Sequence, residues 1–249
     1  MAARRGRNKL YGLAFSHPSL AARKMMERAG IEHEAVDLPG GVHPIALRLL
    51  GFPRGTVPAL RLDGRRFQGS LEIARAIEAR GPAGVLFPRE PQLRRKVEEA
   101  ERWGEEELQP IPRRLFRWAL MRDRDLRRRL LRRSGVPLPG AAGLVMRPFL
   151  ARLARASEAD DDTVREDARR LPALLDRVDA WIAEGTIGGP EPNAADFQIG
   201  LTLSALLALE DYRDEVEGRP AADLARRLHP RYPASLPAVL PPEWRPRAG

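Results

Sequence analysis

The chain has 249 residues, 43% of them hydrophobic and 31% charged, with 43 Lys+Arg against 34 Asp+Glu and a formal net charge of +9. That balance belongs to a globular protein with a sizeable core and excludes disordered and fibrous classes. There is no cysteine, which removes disulfides, thiolate metal sites, iron–sulfur clusters, cysteine nucleophiles and C-x-x-C redox motifs together.

The charge is local. Lys9, Lys24 and Lys96 are the only lysines, so arginine supplies the rest. The stretch from Arg113 to Arg133 carries about +8 and the N-terminal arm through Lys9 about +4, leaving the remainder near −3. The longest strongly apolar run free of charge, Phe197 to Leu209, has 13 residues, short of the roughly 20 that cross a bilayer. The basic N-terminus lacks a long apolar core and a small-residue cleavage site. A cytoplasmic protein with a short disordered basic arm is expected.

In chain order, Leu10 to Phe15 is a short apolar run of strand length. Leu20 to Ala29 follows with helical spacing of Leu20, Met25, Met26 and Ala29, closed by Gly30. Ile31 to Leu38 alternates as a strand does, and Pro44 to Leu50 makes a short helix ended by Gly51. Val57 to Leu62 and Arg65 to Gln68 flank Asp63-Gly64, a pair that supplies the positive φ angles of a tight hairpin. Ser70 to Glu78 ends the unit as a helix. The order β-α-β-α-β-β-α predicts an α/β domain with a mixed sheet over 8–81.

Beyond the Gly/Pro break at 81–91 nothing reads as a strand. Helical runs are predicted at 92–109, 113–133, 144–156, 163–183 and 194–211, with Gly/Pro loops at 134–140 and 185–192. Together they predict an all-α domain over 90–228. The proline-rich extension 229–249 is expected to wrap the surface as an extended strap.

Three motifs carry a resemblance. Thr56-Val57-Pro58 opens the third strand, where X-Pro is the one peptide bond that takes the cis form at modest cost. Gly69-Ser70-Leu71-Glu72-Ile73 opens the third helix, whose N-terminus offers unpaired N–H groups and a positive dipole end to an anion. Asn193-Ala194-Ala195-Asp196 opens the most apolar helix as a reciprocal cap.

With the order of elements, these motifs resemble the glutathione transferase superfamily, which joins a thioredoxin-like N-terminal domain to a helical C-terminal domain. The resemblance covers nearly the whole chain. It implies a cis bond at Pro58, with the exposed backbone groups of Val57 pairing with the cysteinyl part of glutathione. It implies that Ser70, beside Thr56, Pro58 and Gly69, receives the γ-glutamyl carboxylate. Gly69 departs from the family, which has Gln or Glu there.

The resemblance also implies a catalytic hydroxyl at Ser16, hydrogen-bonding the glutathione sulfur, with Ser19 at the second position of what would be a C-x-x-C. With serine at both places only stabilisation of a bound thiolate is open to the protein. Tyr11 stands near the place of a tyrosine in some classes. The plainer readings are that Ser16 starts a turn and Ser70 caps a helix.

Other constellations point less far. His17, His33, His43 and His229 are scattered without metal-ligand spacing, so no metal is expected. Glu98, Glu99, Glu101 and Glu105 to Glu107 form an acidic face expected to be solvated, and Asp160 to Asp162 read as a helix start. The expectation is a transferase using glutathione as cosubstrate against a hydrophobic electrophile, as a homodimer without nucleic-acid or membrane partners. The alternative is a non-catalytic ligand-binding or interaction scaffold of the same fold. The basic amphipathic stretch 113–133 suggests a third reading, binding to phosphates or anionic lipid.

Overall fold

The computed structural model describes residues 8–133 and 147–246. The arm before Asn8, the loop at 134–140 and the start of the helix expected at 144 lie outside the described residues, as do 247–249.

The first unit runs β1 (Lys9–Gly12), α1 (His17–Arg28), β2 (Glu34–Asp37), α2 (His43–Leu49), β3 (Ala59–Leu62), β4 (Arg65–Gln68) and α3 (Ser70–Arg80). The sheet has the order β2-β1-β3-β4, with β1 parallel to β2 and antiparallel to β3. It is the mixed sheet expected. The strands are shorter than the apolar runs predicted, because the chain turns at Leu13 and Ala14 and hydrogen-bonds Ser16 N–H to the Leu13 carbonyl at 3.0 Å. Asp63 and Gly64, at φ 49° and 86°, make the hairpin turn.

The second half is helical: α4 (Pro91–Trp103), a π-helical turn (Gly104–Leu108), α5 (Pro110–Arg122), α6 (Arg124–Arg133), α7 (Arg147–Arg155), α8 (Asp161–Ala183), α9 (Ala194–Leu207), α10 (Glu210–Val216) and α11 (Pro220–Leu228). The chain is thus a thioredoxin-like α/β domain followed by an all-α domain. Among the described residues no helix is long and apolar enough to cross a membrane.

Three expectations need correction. The stretch 113–133 is two helices, because Asp123 leaves the helical conformation and its carboxylate caps the next helix, accepting from the N–H groups of Asp125 and Leu126 at 2.8 Å each. Arg127 closes the end of α5 by donating to the Leu120 and Met121 carbonyls. The run 92–109 contains a π-turn, with Gln109 N–H bonded to the Gly104 carbonyl at 2.9 Å. It lies just before Pro110 and Pro112, which have no N–H to continue the ladder. The run 194–211 divides into α9 and α10.

Helix α9 is buried on every side, as expected of a helix apolar all round, and packs against α1, α4 and α11. One hydrophobic core therefore joins both halves, from Leu10, Met25 and Ile73 to Leu201 and Leu224. The tail does lie on the helical half as a strap: Leu236 pairs with Leu209, and Asp211 accepts from the Val239 N–H at 2.7 Å.

Candidate functional site

Pairing of β1 with β3 places Tyr11 opposite Ala59, so the chain leaving β1 toward Ser16 runs beside Val57-Pro58 entering β3. The bond between Val57 and Pro58 is cis. Gly69 N–H donates to the Pro58 carbonyl at 3.0 Å, which fixes the start of α3 against the same loop. One end of the sheet thus gathers Ser16, Val57 and Ser70.

Ser16 is the N-cap of α1. Its Oγ accepts from the Ser19 N–H at 3.4 Å, and that leaves its hydroxyl proton unengaged. Val57 has neither backbone N–H nor C=O paired within the described residues. Ser70, nearly buried, is the first residue of α3. The cap position belongs to Gly69, whose φ of 101° suits glycine and which offers no side-chain cap. The first-turn N–H groups of α3 therefore receive no side-chain cap from position 69, and the Glu105 carboxyl lies near that of Leu71.

Other expected site residues hold the frame. Ser19 is fully buried, its Oγ within 3 Å of where a Cβ on Gly12 would stand, so it locks α1 to β1 and offers a ligand no surface. Gly69 spends its N–H on Pro58 and its C=O on Ile73 N–H. Thr56 contributes a carbonyl to the loop, accepting from Gln68 Nε2 at 2.7 Å. Tyr11 is buried in a small core, edge-on to Phe52 at 5.7 Å, against which Val57 packs.

Sequence reasoning missed Gln68, one residue before the place searched. It is buried, donates to the carbonyls of Arg54 and Thr56 at 2.6 and 2.7 Å, and accepts from Arg54 N–H at 2.9 Å. The amide thereby holds the loop that leads into Val57. Its signal was present: a polar residue on an inward position at the end of β4.

The helical half and the tail meet the chain next to Ser16. Phe15 packs on Phe116 of α5, ring centroids 6.0 Å apart, and Tyr232 of the strap donates to the Phe15 carbonyl at 2.5 Å. Burial and the nearby Arg113 guanidinium drive the His17 imidazole down to about 3, so it is neutral at ordinary pH. The acidic face is not uniformly solvated. The π-turn swings Glu105 inward, where burial raises its carboxyl although the nearby backbone N–H of Leu71 acts to lower it. Glu101 is fully buried against Arg75 at 2.6 Å, and burial lifts it to about 7 despite that partner. Glu106 is exposed.

Residues 10–84 match the family model described as "Glutathione S-transferase, N-terminal domain". Over those residues the chain carries an N-terminal domain of the glutathione S-transferase type. Among solved structures it is similar to the β-etherase LigF from Sphingobium sp. strain SYK-6, at 19% identity over 90% of this chain and 96% of that one, TM-score 0.66. It is also similar to glutathione transferase F7 from Populus trichocarpa, at 17% over 90% and 94%, TM-score 0.60. A third is the theta class glutathione S-transferase of Xanthomonas axonopodis pv. citri with glutathione bound, at 20% over 89% and 96%, TM-score 0.55. Comparison with curated proteins finds no match. At these identities the likeness establishes the transferase fold, and the chemistry rests on the cleft itself.

In that fold Asn193 and Asp196 form a complete capping box: Asn193 Oδ1 accepts from the N–H groups of Ala195 and Asp196, and Asp196 accepts from Asn193 N–H at 2.8 Å. Asp196 also accepts from Gly188 N–H at 2.6 Å, so it tethers the preceding loop. Asp160 likewise caps α8, accepting from Thr163 N–H at 2.9 Å.

Proposed function

We propose that the chain binds glutathione, or a related low-molecular-weight thiol, and presents its thiolate to a small electrophile held against the helical half. The observation that carries this reading is the meeting of a hydroxyl free to donate, the unpaired backbone of Val57 and a helix N-terminus without a side-chain cap at one end of the sheet. Val57 N–H and C=O pair with the cysteinyl backbone as a short strand would. The first turn of α3 at Ser70 takes the γ-glutamyl carboxylate. Glu105, beside Leu71, faces the ammonium carried on the same carbon.

Ser16 Oγ, fixed as an acceptor by Ser19 N–H, turns its proton to the sulfur and so favours thiolate over thiol. The thiol proton leaves to solvent, the sulfur pair forms a carbon–sulfur bond, and the leaving group departs with its own electron pair. That the structurally similar Xanthomonas transferase has glutathione bound supports the choice of thiol. A homodimer and a cytoplasmic location belong to the same proposal.

Ser16→Ala tests it. Turnover of glutathione with 1-chloro-2,4-dinitrobenzene should fall about 10- to 100-fold, the worth of a hydrogen bond to a charged sulfur. The pH–rate profile of kcat/KM should shift to higher pH. Turnover indifferent to the change sinks the assigned role. The second reading, a non-catalytic scaffold, is favoured by Gly69, where no side chain reaches the γ-glutamyl group. Absence of glutathione binding by calorimetry would select it.

A further inference from the structure

Helix α5 packs Phe116 on Phe15, the neighbour of Ser16, and carries Arg113 and Arg117 four residues and therefore one turn apart on one face. The Arg113 guanidinium acts on His17, next to Ser16, and the Arg117 guanidinium on His43 at the start of α2. Phe116, between them in sequence, packs on Phe15.

Neither arginine has a salt bridge to a carboxylate among the described residues. Arg117 donates only to the Leu153 carbonyl, at 3.3 Å, while Glu105 is the one carboxylate acting on Arg113. Their neighbour Arg114 shows the contrast: it points away and is paired with Asp167 at 3.1 Å and Glu158 at 3.2 Å.

Arg113 is exposed and Arg117 half-buried, yet burial lowers both guanidiniums, Arg117 to about 10. His43 Nδ1 is buried without a hydrogen-bond partner. Two guanidiniums one turn apart repel each other and gain from a shared anion, and guanidinium suits planar carboxylates.

We propose that the electrophilic substrate of this chain is an anion, an aromatic carboxylate whose ring lies on Phe15 and Phe116 and whose carboxylate pairs with Arg113 and Arg117. This rests on the thiol reading above for the reaction but not for the binding. The shared chemistry of a carboxylate has a second source, the glycyl end of glutathione, and the experiment separates the two.

The unreactive 3,5-dinitrobenzoate and its methyl ester are titrated by calorimetry into the wild type, the double variant Arg113→Gln/Arg117→Gln and the charge-keeping Arg113→Lys/Arg117→Lys. Glutathione is titrated into each, and circular dichroism checks folding. The wild type should bind the carboxylate at least 10-fold more tightly than the ester, the glutamine variant should lose that preference, and the lysine variant should keep most of it. Glutathione affinity should stay within about twofold throughout. No preference in the wild type, or a preference untouched in the glutamine variant, overturns the proposal. Loss of glutathione affinity instead of carboxylate preference also overturns it and gives the pair to the glycyl carboxylate. A chain that prefers the carboxylate but binds no glutathione keeps this proposal and loses the thiol reading. If the glutamine variant does not fold, the lysine variant decides: at a preserved wild-type preference, it supports the proposal, and at none it overturns it.

Discussion

The two walls of the cleft are built from different materials. On the α/β side the groups facing the opening are backbone: Val57 N–H and C=O and the first turn of α3, with Ser16 as the single side chain. On the helical side they are side chains of α5 and the π-turn: Arg113, Phe116, Arg117 and Glu105. Backbone geometry follows from strand pairing and turn chemistry, so many sequences can produce the first wall. The second wall is a choice of residues on a helix, free to change without disturbing the fold. A common thiol would be met by the first, and the substrate that distinguishes this protein by the second.

The largest effect expected from breaking this division comes from Gln68→Ala. It strands buried backbone groups of Arg54 and Thr56, which costs about 1–3 kcal/mol for each group left unpaired. Urea unfolding should show a loss of about 2–4 kcal/mol, and glutathione binding should weaken about 10-fold or more. The carboxylate preference of α5 should survive. If that preference disappears as well, the walls are not independent.

The joint between the walls is next. Glu101 of α4, fully buried against Arg75 of α3, has its carboxyl raised to about 7. A folded carboxyl above its unfolded value binds protons more readily than the unfolded chain, so stability falls as pH rises from the usual carboxylate range to about 7 and levels beyond it. Glu101→Gln should therefore gain on the wild type by roughly 1–3 kcal/mol between pH 5 and 8, read from melting curves at each pH. A constant difference across that interval would mean that Arg75 holds the carboxylate ionised. His17 has the opposite sign: its folded value of about 3 lies below the unfolded one, so its contribution is present above about pH 6.5 and lost as pH falls toward 3.

The smallest effect belongs to Asn193→Ala. Loss of its cap should cost about 1 kcal/mol of stability with glutathione and carboxylate binding unchanged, since α9 lies in the core behind both walls. A change in either binding constant would show that the core helix positions the cleft.

Much of the α/β side was readable in one dimension because its signals are local. Asp63-Gly64 names its turn, Val57-Pro58 is a bond of the type that can be cis, and alternating strand and helix periods order the elements. The caps at Asn193 and Asp160 were readable for the same reason. The helical side was harder. Periodicity carried a helix through Asp123, where capping by a short carboxylate outweighed it. It also passed over the π-turn that rotates Glu105 inward, because a one-residue widening leaves almost no trace in hydropathy.

By itself, then, the sequence determined the class of fold, the order of its elements and the small set of polar residues at the sheet end. Those depend on contacts between near neighbours. Only the tertiary structure decided that Ser19 and Gly69 hold the frame, that Gln68 pins the loop, and that Arg113 and Arg117, unlike Arg114, form no salt bridge among the described residues. Burial and ion pairing join residues far apart in the chain: Arg114 meets Asp167 across 53 positions, and no local pattern records why Arg113 beside it does not.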